Sequence, residues 1–373
     1  MHDAWQIGRL FGIPLRVHIS WLIVFGLISW SLAAGYFPAQ LPDLPVWSYW
    51  LKGVVAAAML FFSIILHELG HSLVARHHGI GIASITLFVF GGVSQMKEEP
   101  RHARQELQIA IVGPIISVAL AALFGVLSAW AATGGERTAL GVVLTYLAIV
   151  NLLVAVFNML PAFPLDGGRV LRAIFWLRSG DLTRATHMAV RVGRVLALAL
   201  IALGVVRLLG GNFFGLWLMV IGWFIMQAGT ASVAQASLRQ ALDGLRVRDV
   251  MATEVRAVPA TATLHDLIEH YFIRYTYGGY PVVKDGRVVG LVTLHELRDT
   301  PVEARATTHV ERVMVPLDAR LVVDPETPVI DALNRMVTGR AGRLVVLERD
   351  RLAGLITANG IVHLTQIRSA LGG

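Results

Sequence analysis

Residues Ile65-Leu66-His67-Glu68-Leu69-Gly70-His71 decide how this chain is read. They lie inside an apolar run, 52–74, that is long enough to cross a bilayer as a helix, for which about 20 residues suffice. In a helix His67 and His71 share one face, their Cβ atoms about 5–6 Å apart. Two neutral imidazoles so placed can chelate Zn²⁺, and Glu68 beside them can take a proton from water. Three ionisable groups this close together in a hydrophobic span each cost roughly 2.5 kcal/mol or more unless partnered. A metal ion supplies that partner.

The rest of the chain supports a membrane setting. Of 373 residues, 55% are hydrophobic and only 15% charged, with a mean hydropathy of +0.63. This excludes a disordered tail, a coiled coil and a disulfide-stapled domain. There is no cysteine, so thiolate ligands and a cysteine nucleophile are excluded too. Six apolar runs read as spans: 18–36, 52–74, 106–132, 140–160, a short 195–209, and 213–227. The run 5–16 reads as an amphipathic stretch, and no cleavable signal is evident. With both termini on the cytosolic side of a cell membrane, the inner segments carry 12 Lys/Arg and the outer loops only Lys52, Arg137 and Arg207. Positive charge collects on the inside. The net charge of +7 is therefore topological and does not point to nucleic acid. From residue 54, the start of the second apolar run, to His67 is about 20 Å of helix. The site then lies past the midplane, toward the cytosol.

A tetrahedral zinc site needs a third protein ligand. Without cysteine it must be His, Asp or Glu. Asp166, in Pro161-Ala162-Phe163-Pro164-Leu165-Asp166-Gly167-Gly168-Arg169, is the best acidic candidate near a span. The prolines break the fourth helix there, and the glycines permit close backbone approach. His78 shares the His67 face but sits about 16 Å along the axis, too far for one metal. Ser84–Met96, β-branched and aromatic around Gly91-Gly92, reads as a hairpin. It must pair with protein or line a cavity at membrane depth.

After residue 240 the chain turns soluble and repeats. Val247-Arg248-Asp249-Val250-Met251 recurs as Val310-Glu311-Arg312-Val313-Met314, 63 residues on. Each copy has hairpin strands meeting at Asp285-Gly286 or Arg349-Asp350, and ends in Gly290–Thr293 or Gly354–Thr357. This resembles a tandem CBS domain pair. The expected organisation is a six-helix transmembrane domain at 1–230, a linker at 231–244, and CBS domains at 245–303 and 308–366. In fold class it is a polytopic α-helical membrane protein, with a small β-hairpin or sheet between helices two and three, plus a soluble α/β CBS pair.

The motifs His67-Glu68-Leu69-Gly70-His71 and Asn158…Pro161…Leu165-Asp166-Gly167 resemble those of the site-2 proteases, the intramembrane zinc metalloproteases. Phe90-Gly91-Gly92-Val93 and Gly113-Pro114 followed by Ser117 match as well. The resemblance implies His67, His71 and Asp166 as zinc ligands and Glu68 as general base. It implies cleavage of a transmembrane substrate, for example a tethered anti-sigma factor or a transcription-factor precursor. Asn158 is a candidate for holding the oxyanion or the substrate backbone. Asn151 is better read as a helix–helix hydrogen bonder. The hairpin could receive an unwound substrate by strand addition. CBS pairs often bind adenine nucleotides, here ATP or AMP. Thr293 with Glu296 keeps the ribose-contacting pattern in conservative form, whereas Thr357 is followed by Gly360 and lacks the carboxylate. Dimerisation through the CBS pair is a further expectation. The alternatives are a CBS-regulated ion transporter or channel and an inactive scaffold.

Overall fold

The computed structural model describes residues 4–89, 91–132, 138–275, 277–298, 300–339 and 341–370. Phe90 and Arg137 lie outside them. Among the described residues six helices are long and apolar enough to span a membrane: Ile19–Gln40, Val46–His77, Ala103–Ala131, Ala139–Asn158, Leu182–Leu209 and Phe214–Leu242. Their outer faces carry exposed Leu, Val and Trp, including Trp30, Val126, Leu153 and Trp217. Such apolar faces suit lipid, where every backbone polar group must instead be satisfied inside the helix. A core of Leu32, Phe37, Leu60, Val143 and Leu147 packs the first, second and fourth spans together.

The chain falls into two compact units, Met1–Ala236 and Ser237–Gly373. In the first, four strands form one sheet in the order β1 (Ala4–Leu10), β2 (Ile13–His18), β3 (Ile82–Phe88), β4 (Gly91–Met96). The stretch 5–16, read as amphipathic, is thus a β-hairpin. Its turn, Phe11-Gly12, has φ of 50° and 81°, the two left-handed residues that tight hairpins prefer. Ile13, Leu15 and Val17 alternate inward. β2 then pairs in parallel with β3. The expected hairpin exists as β3 and β4, antiparallel, with Leu87 opposite Gly92. Gly91 and Gly92 open β4 instead of forming the turn.

The fifth and sixth spans run furthest beyond what the sequence suggested. The fifth runs Leu182–Leu209, not 195–209, because its first turns hold arginines that remain helical beyond the apolar stretch. The sixth runs on through residues 231–242, so most of the stretch read as linker is helical. Between the fourth and fifth spans a short helix, Asp166–Ser179, follows the proline-rich turn.

In the second unit the repeat explains itself. Strands Gly279–Lys284 and Arg287–Thr293 form one hairpin, and Arg343–Glu348 and Arg351–Thr357 form its counterpart. Both turns have two left-handed residues, Asp285-Gly286 and Arg349-Asp350. The start of each copy docks on the closing strand of the other. Val315 lies opposite Leu291, and Ala252 bridges Leu355. A Cβ on Gly290 would meet the Met314 sulfur at 2.6 Å, and one on Gly354 would meet the Met251 sulfur at 2.8 Å. The two short motifs recur because each methionine packs against the other copy's glycine.

Candidate metal centre

His67 and His71 are buried on one face of the second span. Their Nε2 atoms are 3.2 Å apart. The Asp166 Oδ2 lies 3.1 Å from the His67 Nε2 and 3.3 Å from that of His71. Asp166 reaches them from the first turn of its short helix, where the helix dipole favours a carboxylate. Pro161 and Pro164 prevent the fourth span from continuing. Gly167 and Gly168 let the turn fold back. A Cβ on Gly167 would come 2.5 Å from the Leu160 carbonyl oxygen, and one on Gly168 would come 2.5 Å from the Ala162 carbonyl carbon.

The third span fixes both rings from behind. The His71 Nδ1 is 2.6 Å from the Ile109 carbonyl oxygen. That oxygen can only accept, so Nδ1 carries the proton and Nε2 presents its lone pair inward. The His67 Nδ1 is 2.9 Å from the Ser117 hydroxyl. Outer partners of this kind set the tautomer and orientation of metal-binding histidines.

These donors fit zinc. A tetrahedral ion with ligands at about 2.0–2.1 Å holds its ligand atoms about 3.3–3.4 Å apart. The observed triangle has edges of 3.1, 3.2 and 3.3 Å. A carboxylate and inward lone pairs repel one another, and a dication at their centre reverses that repulsion. Space for it is kept by Gly113, whose Cβ would stand within 2.6 Å of the His67 Nε2 and nearer still to that of His71.

Glu68 is half-buried beside the triad, and its Oε2 accepts a hydrogen bond from the Ser94 backbone N–H of β4 at 3.0 Å. Gly92 lies against it, with a would-be Cβ 2.6 Å from the Glu68 Cγ. His78 is not part of the cluster and hydrogen-bonds Gln108 at 2.7 Å. Asn158, the last residue of the fourth span, is half-buried and makes no side-chain hydrogen bond among the described residues. Asn151 is buried and donates to the Leu147 carbonyl at 2.8 Å and the Ser63 hydroxyl at 3.4 Å, tying two spans together.

In the second unit, Glu296 turns back on its own motif. Its Oε2 accepts from the Thr293 backbone N–H at 2.7 Å and from the Thr293 hydroxyl at 2.6 Å. The Thr357 hydroxyl accepts from the Gly360 backbone N–H at 3.0 Å. The guanidinium of Arg343 lies against Gly278 and Gly279. Burial lowers the Arg343 pKa from its ordinary value, and the charge of Glu296 partly offsets this.

The sequence did not reveal the roles of Ile109, Ser117 and Ser94. A backbone carbonyl or amide has no signature, and Ser117 was visible only as part of a motif.

Peptidase family M50 matches residues 55–142 and 136–200, and the CBS domain matches 247–303 and 310–371. A Mycobacterium tuberculosis protein named zinc metalloprotease Rip3 is 39% identical over 98% of this chain and 94% of its own length. A zinc metalloprotease of Methanocaldococcus jannaschii is 27% identical over 98% of this chain and 97% of its own length. Among solved structures, the site-2 protease from the same archaeon covers 62% of this chain and 95% of its own, at 29% identity and a TM-score of 0.43. Near-complete coverage by a relative at 39% identity, with the family match running through His67, His71 and Asp166, places this chain among the site-2 proteases: multi-pass membrane zinc metalloproteases of peptidase family M50, here with a tandem CBS pair.

Proposed function

We propose that His67, His71 and Asp166 hold one zinc ion, and that Glu68 is the general base of an intramembrane endopeptidase. The observation that carries this is the triangle of donor atoms with edges of 3.1–3.3 Å. Zinc bound there would supply a Lewis acid that polarises a peptide carbonyl and acidifies water. The chain's residues do the rest. The Glu68 carboxylate takes the proton from the attacking water and delivers it to the leaving nitrogen. Ile109 and Ser117 keep the imidazoles aimed inward.

The substrate is a transmembrane segment of a tethered protein, such as an anti-sigma factor or a transcription-factor precursor. A helix hides its peptide bonds, so the segment must unwind. β4 is an edge strand of its sheet, and its Ser94 N–H points away from β3 toward Glu68. An unwound segment paired along Gly92 and Met96 would pass beside the base. Asn158 is the proposed amide donor to that segment. The termini are cytosolic, so water and the CBS pair share the same side. The proposed limits are a membrane domain at 1–230 and CBS domains at 245–303 and 308–366, with most of 231–244 a continuation of the sixth helix, and the CBS pair is the proposed homodimer interface. An adenine nucleotide, ATP or AMP, would regulate cleavage through the Thr293–Glu296 copy. Thr357 is followed by Gly360 where the pattern has an acid, so at most one of the two sites is competent.

Metal analysis of the purified chain tests the centre. Wild type should hold one zinc per chain and Asp166→Asn far less. Equal zinc in both would rule out this ligand set. Calorimetry with ATP and AMP tests the regulatory site, and no heat at millimolar nucleotide would exclude it.

A further inference from the structure

Glu106 is fully buried in the first turn of the third span, one helical turn before Ile109. Its Oε1 accepts from the Arg172 Nε at 2.8 Å and from an Arg172 terminal nitrogen in a closer contact. The Arg169 Nε lies 3.9 Å from the same oxygen. The Glu106 Oε2 is buried and has no hydrogen-bond partner among the described residues. Arg172 also stacks on the Phe163 ring, its guanidinium carbon 5.1 Å from the centroid. Both arginines belong to the short helix that Asp166 begins, and Phe163 belongs to the turn before it. They were counted with the topological charges, yet they are spent inside the protein. A buried carboxylate and guanidinium are expensive to desolvate and are retained only with close geometry. One ion pair thus joins three pieces: the span whose Ile109 carbonyl orients His71, the proline-rich turn, and the helix that carries Asp166.

We propose that the Glu106–Arg172 pair is a positioning latch that holds Asp166 in register with His67 and His71. It acts through Asp166 and touches neither metal nor substrate. The proposal rests on Asp166 being a zinc ligand. Arginine matters here because two of its N–H donors converge on the Glu106 Oε1 while its plane stacks on Phe163, and a lysine would supply the charge without that two-donor orientation or the ring stacking.

The test uses the full-length, zinc-loaded protein in detergent. The variants are Glu106→Gln, Arg172→Met, the double variant and Arg172→Lys, with Asp166→Asn as reference. The readouts are zinc release to an excess chelator, the visible spectrum after Co²⁺ substitution, and helical circular dichroism. Outer-shell partners typically contribute 10–100-fold to metal affinity. The latch therefore predicts zinc release about 10–100-fold faster in both single variants, at a temperature where helicity matches wild type. The double variant should resemble either single, and Arg172→Lys should recover part of the loss. It also buries no unpaired charge, so it stays informative if a single variant misfolds. Shifted Co²⁺ bands should accompany the faster release. If Asp166→Asn loses zinc while the latch variants release it within twofold of wild type, the latch is wrong and the ligand reading stands. Release that speeds up only as helicity melts, with unshifted Co²⁺ bands, would reduce the pair to general stabilisation and overturn the proposal. Wild-type zinc retention by Asp166→Asn would remove the ligand reading and the latch together.

Discussion

Gly113 of the third span stands where the two imidazoles of the second span converge: a Cβ there would come within 2.6 Å of the His67 Nε2 and closer to that of His71. The absent side chain is part of the proposed metal centre. Gly113→Ala should leave the helices inserted but displace the rings, with zinc content and cleavage both falling at least tenfold. Metal analysis alongside circular dichroism checks this. Normal zinc in a folded Gly113→Ala protein would mean that the space is not the coordination space.

Ser117 and His67 make a second such pair. Removing the hydroxyl in Ser117→Ala frees the His67 ring to rotate. Zinc affinity should fall about 10–100-fold, the usual range for outer partners. A competition titration against a chromophoric chelator measures it. Ser117→Thr, which keeps the hydroxyl, should lose less.

Gly92 should separate binding of metal from catalysis. A side chain there would press on the Glu68 Cγ, 2.6 Å away, and on Ile64. Gly92→Val should therefore keep one zinc per chain yet cleave at least tenfold more slowly. Loss of zinc in that variant would place β4 in the metal centre itself.

In the second unit, Gly290→Val would drive a side chain into Met314 and the Val315 backbone. Overpacking of this kind typically destabilises by about 1–3 kcal/mol. Thermal unfolding of the CBS unit should move to lower temperature, while zinc content stays at one per chain. An unchanged transition would contradict the packing explanation of the repeat.

Much of this architecture was legible because strong chemistry sits in an unlikely solvent. His67, Glu68 and His71 stand out in an apolar helix, and Asp166 stands out beside Pro161 and Pro164. The long apolar runs located all six spans. The fifth was read too short because Arg184, Arg191 and Arg194 interrupt the hydropathy without interrupting the helix. The β1–β2 hairpin was missed although Ile13, Leu15 and Val17 alternate, since the stretch 5–16 was read only as amphipathic and its period of two was not followed. The Glu106–Arg172 pair was invisible for another reason. It joins residues 66 positions apart, and nothing local marks either as buried.

The most direct test of the central claim is cleavage of a transmembrane substrate by Glu68→Gln protein, with zinc measured on the same sample. Glutamine keeps the shape of Glu68 but cannot take a proton. The expected result is one zinc per chain and no detectable product. Cleavage near the wild-type rate, with zinc retained, would contradict the assignment of Glu68 as the base.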